Sequence, residues 1–243
     1  MNIKLFLVAM LAGLPGVAAV VMLVLPGLLA SRQLPIPLWV ALLASAGQSA
    51  LLLAGAVFTG VVLARRVGLS APGLSAFAES KPIISALRPQ VIPGLLGGLV
   101  GGALLWSFSR YAPEALAQLQ ARFIIPPLAR VLYGGVTEEL LVRWGLMTLI
   151  AWLFWRVFQN GRGTPSSAIM YSAISVSAVA FGAGHLPAVY ALLGHVPTSV
   201  AIFVVVANAA FGFMAGWLYW QFGLESAILA HALSHALVLV ASQ

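Results

Sequence analysis

Seven apolar runs decide what this chain can fold into. They cover about residues 5–30, 36–64, 91–109, 129–158, 167–193, 198–220 and 223–241. Each is near or above the roughly 20 residues an α-helix needs to cross a bilayer. Hydrocarbon offers no hydrogen bonds to a backbone, so a crossing segment must satisfy its own N–H and C=O groups, as a helix does. The alternating segments of about ten residues that mark a membrane β-barrel are not seen. The pattern predicts an all-α polytopic transmembrane bundle of about seven spans (six to eight), a single domain over 1–243 without internal repeat. The first run, behind Lys4, is longer than a signal-peptide core and reads as a span.

Composition removes the other classes. Only 7 % of the residues are charged and 62 % are hydrophobic, and the five acidic residues are all Glu. A soluble domain carries about 25 % charged residues, so a soluble or disordered chain is excluded. The net charge of +7 is scattered between the apolar runs. It therefore follows membrane topology rather than forming a nucleic-acid patch. There is no Cys, hence no disulfide, thiolate nucleophile or Cys metal site.

Lys4, Arg65, Arg66, Lys81, Arg88, Arg156 and Arg162 fall on the N-terminal side. Arg32, Arg110, Arg122 and Arg130 fall opposite, and Arg143 lies within a run. The positive-inside rule then predicts a cytoplasmic N-terminus. The polar stretch 65–90 links two spans, and 110–128 reads as an interfacial amphipathic helix. Gly94, Gly98 and Gly102, with Gly97 and Gly101, stand at the spacing that lets membrane helices approach closely. Gln48 with Ser45 and Ser49 reads as interhelical hydrogen bonding.

The fourth run carries Glu138, Glu139 and Arg143. A charge at a helix centre costs roughly 2.5–3.5 kcal/mol on the insertion scale, and intramembrane ionisable residues are functional candidates by default. Glu139 and Arg143 are four apart, with Glu on the N-terminal side, the favourable ion-pair order. On an α-helix Glu138 points about 100° away. One carboxylate is then neutralised and the other left for chemistry. His185 lies in the fifth run, and His231 and His235 share one face of the seventh. His195 is a loop residue with no assigned role.

Counted at 1.5 Å per residue from the face where the fourth run begins, Glu138 lies roughly 13 Å deep. His185 lies roughly 12 Å deep, and His235 and His231 roughly 9 and 15 Å. One layer can therefore hold a carboxylate and three imidazoles. Two chemistries fit. Either Glu138 deprotonates a water while imidazoles stabilise an oxyanion, or His185, His231 and His235 bind Zn²⁺, which activates a bound water. Both are hydrolytic. No G-x-S-x-G, His-Glu-x-x-His or Asp pair is present.

These residues resemble the CPBP family, the CAAX-protease and bacteriocin-processing (Abi) intramembrane proteases. Glu138, Glu139 and Arg143 match its Glu-Glu-x-x-x-Arg motif, and Phe181 and His185 match Phe-x-x-x-His. His231 matches the start of His-x-x-x-Asn/Asp, with His235 standing where the family has the amide or acid. The resemblance covers about residues 130–240. It implies a glutamate-type intramembrane endopeptidase acting on a membrane-presented peptide or protein tail. By analogy Glu138 activates water, supported by Glu139 and Arg143. His185 places the water, and His231 and His235 stabilise the oxyanion.

Phe181 is expected beside His185. Asn208, in the sixth run, is a second candidate for lining the site, against the competing reading of an interhelical hydrogen bond. No cofactor is expected, with Zn²⁺ on the three His as the alternative. The partners expected are membrane lipids and the peptide substrate, with no nucleic acid, in a bacterial plasma membrane. The rival readings are an ion transporter, a bis-His haem protein and a catalytically silent scaffold or immunity protein.

Overall fold

The computed structural model describes residues 2–30 and 35–241, without the side chains of 120–122; Arg32 lies outside the described residues. The described residues form helices joined by short loops, with no strand among them. In order come α1 (Ile3–Leu23), α2 (Leu25–Leu29), α3 (Leu38–Leu63), α4 (Pro72–Ala78), α5 (Ile83–Arg110) and α6 (Glu114–Arg122). They are followed by α7 (Pro127–Ala129), α8 (Thr148–Phe158), α9 (Ser167–Ala183), α10 (Leu186–Leu193), α11 (Thr198–Phe222) and α12 (Leu224–Ala241). Grouped into continuous helical runs, seven among the described residues are long and apolar enough to cross a membrane: 3–29, 38–67, 83–110, 127–158, 167–193, 198–222 and 224–241. The bounds match the apolar runs to within a few residues, except that the third begins eight residues earlier. The protein is an integral, multi-pass all-α membrane protein.

Two of the spans that carry site residues depart from the regular α-helix the sequence predicts. Between α7 and α8 the fourth span is wound as π-helix over Arg130–Thr137 and again over Leu140–Met147, with Glu138 and Glu139 at the junction. The wider winding is matched by side chains. The hydroxyls of Thr137 and Thr148 donate to the carbonyls five residues back, those of Leu132 (3.3 Å) and Arg143 (3.2 Å). Such π-segments are rare and concentrate at functional sites. The fifth span is not one helix but two, α9 and α10, broken at Gly184 and His185. Pro187 has no N–H for the preceding turn, and its ring disfavours a continuous helix. The depth of His185 counted along an unbroken helix therefore does not apply.

The glycines of α5 act as the spacing predicts. A Cβ at Gly94, Gly98 or Gly102 would lie 2.6–2.9 Å from the side chains of Leu229, Leu233 and Leu237 of α12. One row of missing side chains thus receives one row of leucines, and α12 seats directly on the α5 backbone. Ser234, on the same contact, donates to Gly98 O at 3.2 Å. On the other flank, α1 packs against the π-wound segment. Thr137 Oγ1 donates to Gly13 O at 2.7 Å, and Gly16 leaves room for Leu132 and Thr137.

Smaller contacts tie the periphery. Glu225, in the first turn of α12, accepts the N–H of Leu74 at 2.8 Å, and Leu224 N donates to Ser70 O at 3.0 Å. Together they fasten α4 and the loop before it to the bundle. The helix in the 110–128 segment is α6, whose Leu116 is buried against Val200 and Val204 of α11. Gln48 is exposed on the outer face of α3.

Candidate active site

The two adjacent glutamates live in different surroundings. Glu139 is fully buried. Its Oε1 accepts from His231 Nδ1 at 2.7 Å, and its Oε2 lies 3.2 Å from Arg143 Nε, an ion-pair contact without hydrogen-bond alignment. Arg143 is buried as well; it donates from Nη2 to Gly212 O at 3.2 Å and lies over the Phe181 ring, 4.8 Å from its centroid. The pair at four-residue spacing forms as predicted, with Phe181 and Gly212 completing the cradle for the cation. Glu138 is half-buried and makes no hydrogen bond or ion pair among the described residues. Tyr133, five residues earlier, is its electrostatic neighbour.

The imidazoles from the other spans gather here. His231 stacks on His235 with centroids 4.8 Å apart, and Phe211 lies 4.4 Å from His231. Phe181 stands edge-on to His185 at 4.7 Å and to His231 at 6.2 Å. It is the shared wall between two imidazoles and the arginine, which is more than the local packing predicted for it. His185 Nδ1 lies 2.8 Å from Phe181 O. A carbonyl only accepts, so Nδ1 carries the proton and Nε2 of neutral His185 presents a lone pair. His235 makes no hydrogen bond among the described residues, so its Nε2–H tautomer can donate.

A Cβ on Gly134 would lie 2.6 Å from His235 Nε2 and 3.7 Å from His231 Nε2. Both nitrogens therefore face the Gly134 backbone, one π-turn before the glutamates. Sequence reasoning missed Gly134 and Tyr133; the glycine pair Gly134–Gly135 ahead of the glutamates was the available signal. Asn208 is half-buried and donates from Nδ2 to Val204 O of its own helix at 2.8 Å, rather than across helices. His195 lies in the loop between α10 and α11.

A zinc site on His185, His231 and His235 needs three nitrogens converging on one point. Nδ1 of His185 and of His231 are engaged, which leaves their Nε2 atoms free as in metal-bound His, but the His231 and His235 rings stack at 25°. No group of three His, Cys, Asp or Glu among the described residues is arranged to hold a metal. The side chains as packed do not fit that ion.

Residues 120–237 match the family model described as type II CAAX prenyl endopeptidase Rce1-like. Over that segment, just under half of the sequence, the chain is similar to this family. The match spans the π-wound segment, the broken fifth span and both His of α12, the elements that assemble the cluster. Comparison with curated proteins and with solved structures finds no match. The family is one of intramembrane proteases, whose surroundings are lipid and whose substrates are peptides.

Proposed function

We propose that the protein is a glutamate-type intramembrane endopeptidase, with Glu138 as the general base toward water. The observation that carries this is the contrast between neighbouring carboxylates. Glu139 is locked by Arg143 and His231, whereas Glu138, the preceding residue at the π-junction, is half-buried and makes no hydrogen bond or ion pair among the described residues. A carboxylate bound in a buried ion pair is a poor proton acceptor; an uncommitted one is available.

The lone pair on His185 Nε2 orients the attacking water by accepting one of its hydrogens, and Glu138 takes the other proton. The water oxygen forms its bond to the scissile carbonyl carbon. The resulting oxyanion accepts a hydrogen bond from His235 Nε2–H, an arrangement that stabilises developing charge. Glu138 then returns the proton to the leaving nitrogen as the C–N bond breaks. His231 acts between the groups. Its Nδ1–H is spent on Glu139, which fixes the ring, and its Nε2 faces the same space as that of His235. Glu139 and Arg143 hold His231 and the π-junction in place. Phe181 forms the apolar wall, and Asn208 is a more distant candidate for the lining. No metal takes part in this scheme.

The substrate class is a peptide or protein tail presented within the bilayer. The test is cleavage of a lipid-reconstituted peptide library by the wild type and Glu138→Gln, each with and without chelator. Cleavage that survives chelator and is lost in the variant supports the scheme. Cleavage lost in chelator and restored by Zn²⁺ would overturn its metal-free chemistry. Undiminished cleavage by Glu138→Gln would overturn the role of that residue.

A further inference from the structure

The π-winding of the fourth span sorts its residues into rows, because bonding from residue i to i+5 sets residues five apart one turn from each other. Leu132 and Thr137 form the row against which α1 packs at Gly16. Gly134 and Glu139 form the row that faces His231 and His235 of α12. Between these rows stand Tyr133 and Glu138, joined by the Glu138 N–H, which donates to Tyr133 O. Both are half-buried, and the Glu138 carboxylate acts electrostatically on the Tyr133 phenol. The phenol O–H makes no hydrogen bond among the described residues.

The reaction proposed above gives its oxyanion one donor, His235 Nε2–H. Sites of acyl transfer aim several preorganised donors at that charge. Most groups of the cluster have none to give. Neutral His185 and His231 hold their protons on Nδ1, so their Nε2 atoms accept. The hydroxyls of Thr137 and Ser234 are spent on Gly13 O and Ala230 O, and Asn208 Nδ2 on Val204 O. The Tyr133 O–H is uncommitted and stands in the row of the general base. We propose that Tyr133 is a further catalytic residue, whose hydroxyl donates a second hydrogen bond to the substrate oxyanion. The water oxygen bonds the carbonyl carbon from the side of Glu138, and the charge that builds on the carbonyl oxygen is held between Tyr133 and His235. The phenol keeps its proton throughout, so the path of the proton from water through Glu138 to the leaving nitrogen is unchanged. The inference rests on the proposed proteolytic reading and adds a residue to it.

Tyr133→Phe keeps the ring and removes only the hydroxyl. The probes are an apolar peptide of Ala, Leu and Val and its phosphinic analogue, which carries an uncleavable tetrahedral anion in place of the scissile amide. Affinities are read in the Glu138→Gln background in zwitterionic vesicles, so neither probe is turned over. Adding Tyr133→Phe is expected to weaken the phosphinic analogue at least about tenfold and to leave the amide peptide within about twofold, the mark of a donor aimed at transition-state charge. With Glu138 present, Tyr133→Phe is expected to lower kcat about 10²-fold, with KM within about twofold and the melting temperature unchanged. An analogue affinity that Tyr133→Phe leaves unchanged overturns the inference; if kcat falls all the same, the hydroxyl acts on Glu138 and not on the oxyanion. Equal weakening of both probes with a lowered melting temperature also overturns it, since that is a packing role. So does an undiminished kcat. Cleavage of the amide peptide by the wild type and Glu138→Gln reports the proteolytic reading by itself, whatever Tyr133→Phe does to the analogue.

Discussion

At the scale of single residues, the decisive feature is that two consecutive glutamates are treated differently by their surroundings. Glu139 shares its charge with Arg143 and its Oε1 with His231, all buried. Breaking a buried pair by removing one partner leaves an uncompensated charge and costs about 3–5 kcal/mol. Arg143→Met is expected to lower stability by that order, read as loss of folded protein on heating in detergent. His235 tests the oxyanion assignment. His235→Asn keeps a neutral N–H donor and is expected to retain cleavage within about tenfold. His235→Leu removes the donor and is expected to cost about 10²–10³ in kcat, with an unchanged melting temperature showing that packing is intact.

At the scale of elements, the site depends on how closely α12 approaches its neighbours. The glycine row of α5 receives Leu229, Leu233 and Leu237, and this contact sets the depth and rotation of His231 and His235. Filling it with a side chain overpacks the interface, typically at about 1–3 kcal/mol. Gly98→Leu is expected to destabilise by that amount and to reduce kcat more than it raises KM, because it displaces donors rather than the substrate's path. Steady-state kinetics beside a thermal melt check this.

The glycine row and the Glu139–Arg143 pair were legible in the sequence because both follow from fixed spacing on a helix. The π-winding around the glutamates was not, since it depends on tertiary contacts such as Thr137 to Gly13 O, 124 residues away. The break at Gly184 and His185 was signalled by Pro187, but the apolar run hid it. Gly134 was only partly legible for a similar reason. Its neighbours are His231 and His235, and the pair Gly134–Gly135 signals a close approach without saying that α12 makes it.

At the scale of the molecule, length and apolarity alone predicted seven spans, and seven suitable helical spans are found. The charge asymmetry predicts that residues near Thr164 lie on the cytoplasmic side and those near Tyr111 opposite. The absence of cysteine makes this directly measurable. Thr164→Cys is expected to react with an impermeant maleimide only from the cytoplasmic side, and Tyr111→Cys only from the other. The reverse pattern would place the mouth of the site, where the fourth span begins, toward the cytoplasm.

The central claim is that Glu138, and not Glu139, takes the proton from water. The most direct measurement compares Glu138→Gln and Glu139→Gln on one cleaved peptide, with thermal unfolding recorded for each. The account predicts that Glu138→Gln melts like the wild type and loses about 10²–10⁴ in kcat, the usual contribution of a general base. It predicts that Glu139→Gln melts lower and that its loss of activity tracks its loss of folded protein. A Glu138→Gln protein that cleaves at the wild-type rate, or a Glu139→Gln protein that is fully folded and inactive while Glu138→Gln is active, would contradict it.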